Sequence, residues 1–223
     1  RRMDWQALSL SVQLALATLL VLLPPGLWLG RWLARTRIAG KSLIEAAVVL
    51  PLVLPPTVLG YYLLVSLGSA SPLGAWLLAT FDIRLSFNFT GLLLASVVFN
   101  IPFMLQPMQR AFEAIPHKLI EAATVNGLSA WATFWRVELP LAWPGVMSAM
   151  VLTFVHTLGE FGVVLMVGGS IPGETRTIAI AIYDRVQAFD LAGADRMALF
   201  LLLLSLLAVA ASYFAAARLA TRR

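Results

Sequence analysis

The residues best placed to do chemistry in this chain are few and lie in apolar surroundings. Glu160 sits in Gly159-Glu160-Phe161-Gly162, inside an otherwise apolar stretch, with His156 one helical turn earlier. An ionisable group at membrane depth is costly and marks a functional candidate by default. A bare carboxylate would repel an anionic solute, so Glu160 is expected to be paired or hydrogen-bonded and to serve a gate or its hinge. Arg176 stands between Thr175 and Thr177, just ahead of a helical stretch. It could receive an oxyanion together with helix N-terminal N–H groups, or hold its loop by pairing with Glu174 or Glu160. No carboxylate pair or nucleophile–base set stands out. The absence of cysteine removes disulfide and thiolate chemistry, and only two histidines occur. No catalytic residue, cofactor or metal is therefore expected. Gly40-Lys41-Ser42 looks like the end of a phosphate-binding loop, but position 35 is Arg where that motif needs glycine. A snorkelling lysine at a helix start explains Lys41, and the chain is not expected to hydrolyse ATP.

A second group of residues suits mechanical rather than chemical work. Glu121-Ala122-Ala123, then Gly127, then Val137-x-Leu139-Pro140 form a polar, helix-breaking insertion between two strongly apolar segments. Pro116 suits a helix start, and His117 to Asn126 reads as a short helix ended by Gly127 in the left-handed C′ position. Ser129 can cap a second helix whose Trp131, Phe134, Trp135 and Val137 share a face, with Leu139-Pro140 closing it. Two short helices meeting at a glycine make a rigid knob. Small Ala122 and Ala123 permit close approach by a partner, and Glu121 offers it a charge. Ala-x3-Gly also occurs in DNA-binding helix-turn-helix units, but a module tied at both ends to membrane spans is a poor duplex reader.

The elements that carry these residues are membrane helices. Hydrophobic residues make up 60% of 223 and charged residues 12%, about half the charged fraction of a soluble domain. Five apolar segments are long enough to span: Leu8–Leu29, Leu43–Leu67, Thr90–Gln106, Gly145–Val167 and Met197–Ala217. The expectation is an all-α, polytopic membrane protein, one domain over 1–223, with a cytoplasmic loop at about 107–144. The first span shows no cleavage site and is read as retained. Segment 68–89, rich in aromatic residues, suits a short helix at the outer face, and Ile178–Ile182 suits a partial or re-entrant helix. With the N-terminus outside and the C-terminus cytoplasmic, ten of the 16 Lys and Arg fall inside, as the positive-inside rule requires. The net charge of +5 is thus accounted for without a nucleic-acid partner.

The second span is interrupted by Pro51, Pro55, Pro56 and Gly60. At about 1.5 Å per residue from Leu43, Pro55 lies roughly 18 Å deep, close to the midplane. Each proline removes a hydrogen bond that lipid cannot replace. Transporters place such discontinuous helices beside the solute path, whereas a packed kink without transport contact is the structural alternative. Asn100-Ile101-Pro102 is a weaker case.

Across nearly its whole length the chain resembles the permease subunits of bacterial molybdate ABC importers. Four passages carry the resemblance: Leu50–Tyr61, the Glu121–Pro140 loop, Leu158–Gly162, and Ile171–Ile178 with Ala181-Ile182-Tyr183. The loop occurs in many ABC importer permeases, while Ile171-Pro172-Gly173-Glu174-Thr175-Arg176-Thr177 is narrower and looks like the molybdate branch, not the sulfate branch. Val137 replaces the isoleucine usual in the loop, a mild change. The resemblance implies a type I ABC importer permease fold in the inner membrane and a homodimer. It also implies a pair of ATPase subunits below, a periplasmic or extracellular binding protein outside, and molybdate as substrate, with tungstate or sulfate as alternatives. Glu121, Ala122, Ala123, Gly127, Leu139 and Pro140 would couple to the ATPase. Pro55, Pro56, Gly60, Gly159, Glu160, Phe161, Gly162, Thr175 and Arg176 are the pore or gate candidates. A non-transporting scaffold that docks an ATPase is the reading from another class.

Overall fold

The computed structural model describes residues 3–220; Arg1, Arg2, Arg222 and Arg223, counted above for orientation, lie outside the described residues. The described residues form helices and connecting turns. In order these are α1 (Trp5–Arg35), α2 (Lys41–Val53), α3 (Pro56–Leu67), α4 (Pro72–Phe81), α5 (Phe89–Glu113), α6 (His117–Val125), α7 (Ala130–Thr133), α8 (Leu139–Gly159), α9 (Gly162–Gly168), α10 (Ile178–Gln187) and α11 (Leu191–Ala220). One π-helical turn, Phe134–Glu138, joins α7 to α8. Four helical stretches are long and apolar enough to cross a membrane, and the bent pair α2–α3 brings the number to five.

The centre is a three-helix packing of α1, α5 and α8. Leu22, Met104, Met108, Phe112, Ala142 and Val146 form its main cluster. α1 and α5 run parallel: Thr18 meets Ser96, Gly26 meets Met104, and Gly30 meets Met108. A side chain at Gly26 would come within 2.8 Å of Met104, so the Gly26-x3-Gly30 stripe is what lets the helices approach. α8 runs antiparallel to α5, with His156 beside Asn100 and Gly145 against Ala111. α11 begins beside the start of α1, where Met197 joins Ala7 and Leu8 and Phe200 meets Trp5, and packs against α8.

Two expectations are corrected. The span expected at Gly145–Val167 is not continuous: α8 stops at Gly159 and α9 restarts at Gly162, with Glu160 extended between them. Nor do Leu139-Pro140 close the second loop helix. Ala130–Gly159 runs as one stretch of 30 residues, because the π turn absorbs the proline. Pro140 lacks an N–H and its ring would clash with the carbonyl four residues back. Widening the turn so that the Leu139 N–H bonds to Phe134 relieves that conflict without ending the helix.

Candidate functional site: a loop knob and two broken helices

At the loop end, α6 closes with a Schellman motif: the Leu128 N–H donates to the Ala123 carbonyl and the Gly127 N–H to that of Thr124. Gly127 has φ +80, a conformation that a side chain resists, and open space surrounds it. The requirement for glycine is thus purely a backbone one. The Ser129 hydroxyl then caps α7 by accepting from the Ala132 N–H. Glu121, Ala122 and Val125 are exposed, Val125 by 88%, while Ala123 is buried against the rest of the loop. Of the two short helices expected from the sequence, α6 is present with a free face, while the second is the beginning of the 30-residue stretch Ala130–Gly159.

A residue that sequence reasoning passed over anchors this knob. Glu138, the unspecified position of Val137-x-Leu139-Pro140, is fully buried. Arg31 donates to it through two nitrogens, Nη2 at 2.8 Å and Nε at 3.0 Å, and Arg35 lies 3.5 Å away. The Arg31 guanidinium also sits 5.5 Å from the centre of the Phe134 ring. Bidentate guanidinium–carboxylate pairs are strong and directional, so the end of α1 and the start of α8 are held as one body. Arg31 and Arg35 are four apart on one helix face, a signal of a shared acidic partner. Which acid, 107 positions along, needed the fold. Lys41 makes a looser tie, with Nζ 3.4 Å from Glu113 and 3.6 Å from Glu45, so it is ion-paired at a helix start.

Deeper in the bundle the two broken helices meet. α2 and α3 are bent by 104° at Leu54-Pro55. The break between α8 and α9 lies against the start of α3: a side chain at Gly162 would come within 2.8 Å of Pro56, and one at Gly60 within 2.9 Å of Met166. Pro56, Gly60 and Gly162 are thereby brought together, with Pro55 and Phe161 next to them in the chain. Gly159 faces open space.

Glu160 departs from expectation. It is 5% exposed, and neither carboxylate oxygen has a hydrogen-bond partner among the described residues. His156 is engaged elsewhere, with Nδ1 2.9 Å from Asn100 Oδ1 and its ring stacked on Phe103 and near Phe99. Asn100 bonds on to Ser96, and Thr18 bonds to Ser96, completing a buried polar chain across α1, α5 and α8. The orientation of α8 toward α5 thus turns His156 away from Glu160, although the two are one helical turn apart in sequence.

The loop ahead of α10 has other ion pairs than those expected above. Arg176 pairs with neither Glu174 nor Glu160. Its Nε lies 3.1 Å from Asp184 and its Nη1 3.7 Å from Asp4, while Ser170 donates to Asp184. Thr175 is buried and accepts from the Ile171 N–H. Two N–H groups at the start of α10 are taken as well, that of Ile178 by the Ser11 hydroxyl and that of Ile180 by the Thr177 hydroxyl. Arg176 is therefore ion-paired to Asp184 and Asp4 in this conformation, its Nε facing Asp184 without the alignment of a hydrogen bond.

Comparison with known proteins agrees with this architecture. The family model described as "Binding-protein-dependent transport system inner membrane component" matches residues 26–223. The molybdenum transport system permease protein ModB of Azotobacter vinelandii is 47% identical over 94% of this chain and 93% of its own length. Its namesake from Haemophilus influenzae is 38% identical over 97% and 95%. The sulfate transport system permease protein CysT of Escherichia coli is 34% identical over 82% of this chain and 65% of its own. Among solved structures, a bacterial ABC transporter involved in alginate import superposes with TM-score 0.75 at 18% identity, covering 96% of this chain and 78% of that one. The MetNI methionine ABC transporter gives 0.69 at 19%, covering 96% and 93%. The chain belongs to the family of inner membrane components of binding-protein-dependent transport systems.

Proposed function

We propose that this chain is the membrane-spanning permease subunit of an ABC importer that carries molybdate across the inner membrane, driven by ATP hydrolysis in a separate subunit pair. The observation that carries the substrate is the 47% identity, over nearly the full length of both chains, to a molybdenum transport permease. The sulfate permease relative stands lower at 34% and over less of its own length.

In this reading the loop end is cytoplasmic and the start of α1 lies outside, next to the binding protein. Two copies of the chain enclose the path. The exposed face of α6, with Glu121, Ala122 and Val125, docks in a groove of the ATPase. When ATP draws the ATPase pair together, the two α6 knobs approach each other. The Arg31–Glu138 clamp passes that movement to α1 and α8 as one body. The breaks at Leu54-Pro55 and at Glu160-Phe161, which touch through Pro56 and Gly162, take up the rotation, and the path opens outward. Hydrolysis reverses it. Irregular backbone within a membrane is tolerable where it is buried in protein or lines a watery path; Glu160 is buried, while Pro55 and Pro56 are exposed on the single chain, a surface that the path or the second copy covers in this reading.

The substrate is tested by ATP-driven uptake of radiolabelled molybdate into vesicles holding the permease, its ATPase and its binding protein. Molybdate accumulation competed by tungstate and resisted by sulfate supports the reading. Preferential sulfate accumulation transfers the chain to the sulfate branch, and ATP hydrolysis with no oxyanion accumulation makes it a scaffold.

A further inference from the structure

At the loop end an apolar groove of about 560 Å³ runs between α1 and the α7–π segment. Leu23, Leu27 and Trp28 form one wall and Trp131, Phe134 and Trp135 the other, with Arg31 at the mouth. Trp28 is 67% exposed, Trp131 71% and Trp135 49%. We propose that this groove is a binding site for one anionic phospholipid per subunit, an acyl chain lying along α1 and the phosphate at Arg31; the proposal rests on the orientation given under the proposed function.

Depth argues for a lipid over a soluble partner. α1 ends at Arg35, and at about 1.5 Å per residue Leu23 lies roughly 18 Å further into the bundle. The hydrocarbon slab begins only a few ångströms below the polar headgroups, so the deep half of the groove opens among acyl chains. A cytosolic protein could touch Trp131 at the rim; it could not reach Leu23. Three tryptophans around one opening match the way amphipathic rings gather at the headgroup level.

Charge argues for an anionic headgroup. Two guanidinium groups share the single carboxylate of Glu138, which leaves one positive charge in excess at the mouth. No acidic residue lines the groove. Arg136, exposed on the π turn, adds to the same field.

The test is native mass spectrometry of the complete transporter released from nanodiscs of equal phosphatidylglycerol and phosphatidylcholine. The site predicts one retained phosphatidylglycerol per permease subunit, enriched about fivefold over phosphatidylcholine by the excess charge. Trp131→Ala removes an exposed ring, and Ala130→Trp fills the groove; each should lower the retained lipid by at least about fivefold with the thermal midpoint unchanged. Equal retention of both lipids, or undiminished retention in both variants, overturns the proposal. So does a Trp131→Ala complex that keeps its lipid but loses its ATPase, since the aromatic face would then be a protein contact.

Discussion

Two glutamates among the described residues are buried, and they are buried in opposite ways. Glu138, where the loop joins α8, receives two hydrogen bonds from Arg31 and lies close to Arg35. Glu160, where α8 breaks, has no partner among the described residues. A buried carboxylate that is fully paired fixes its surroundings, because losing the partner leaves a stranded charge. An unpaired one does the reverse: its own site is under-satisfied, and another arrangement that offers it a donor is favoured. The difference matches the work proposed for each region. The loop end has to transmit movement without absorbing it. The breaks have to rearrange.

The largest effect should come from breaking the paired glutamate. Glu138→Gln leaves two guanidinium groups facing a neutral amide, and stability should fall by about 3 kcal/mol, read as a lowered thermal midpoint in detergent. The figure sits at the low end of the range for buried pairs because Arg31 is about one third exposed. Glu160→Gln should shift that midpoint by less than about 1 kcal/mol, since no bond is lost, while uptake falls steeply. A Glu160 variant as unstable as the Glu138 variant would erase the contrast. Gly127→Ala should cost about 1 kcal/mol through its positive φ alone, with Gly127→Asn recovering part of it. Weakest of all, Arg176→Ala removes a partly exposed ion pair with Asp184 and should cost at most about 1 kcal/mol, measured by the same unfolding assay. Unchanged uptake kinetics in that variant would confirm a loop clamp, and impaired uptake would return Arg176 to the solute path.

Local rules made the loop legible in the sequence. Pro116 before α6, Gly127 in the left-handed conformation and Ser129 as a cap all act within four residues of where they stand. The same holds for the proline break at Leu54-Pro55, since lipid cannot replace the lost hydrogen bond. What stayed hidden depends on distant chain. Arg31 and Glu138 are 107 positions apart, and the Gly26-x3-Gly30 stripe acquires meaning only against Met104 and Met108. Pro140 misled in another way: a proline normally ends a helix, but a π turn just ahead of it let the helix pass. For Arg176 the sequence offered Glu174 and Glu160 as ionic partners, and the fold supplies Asp184 and Asp4.

The central claim is that the α6 knob converts nucleotide hydrolysis into movement of the spans. It is tested most directly by placing Glu121→Lys in vesicles with the ATPase and binding protein, and measuring hydrolysis and molybdate uptake side by side. The account predicts a correctly inserted permease, continuing hydrolysis and lost uptake. Normal uptake at the normal ratio to ATP consumed would contradict it.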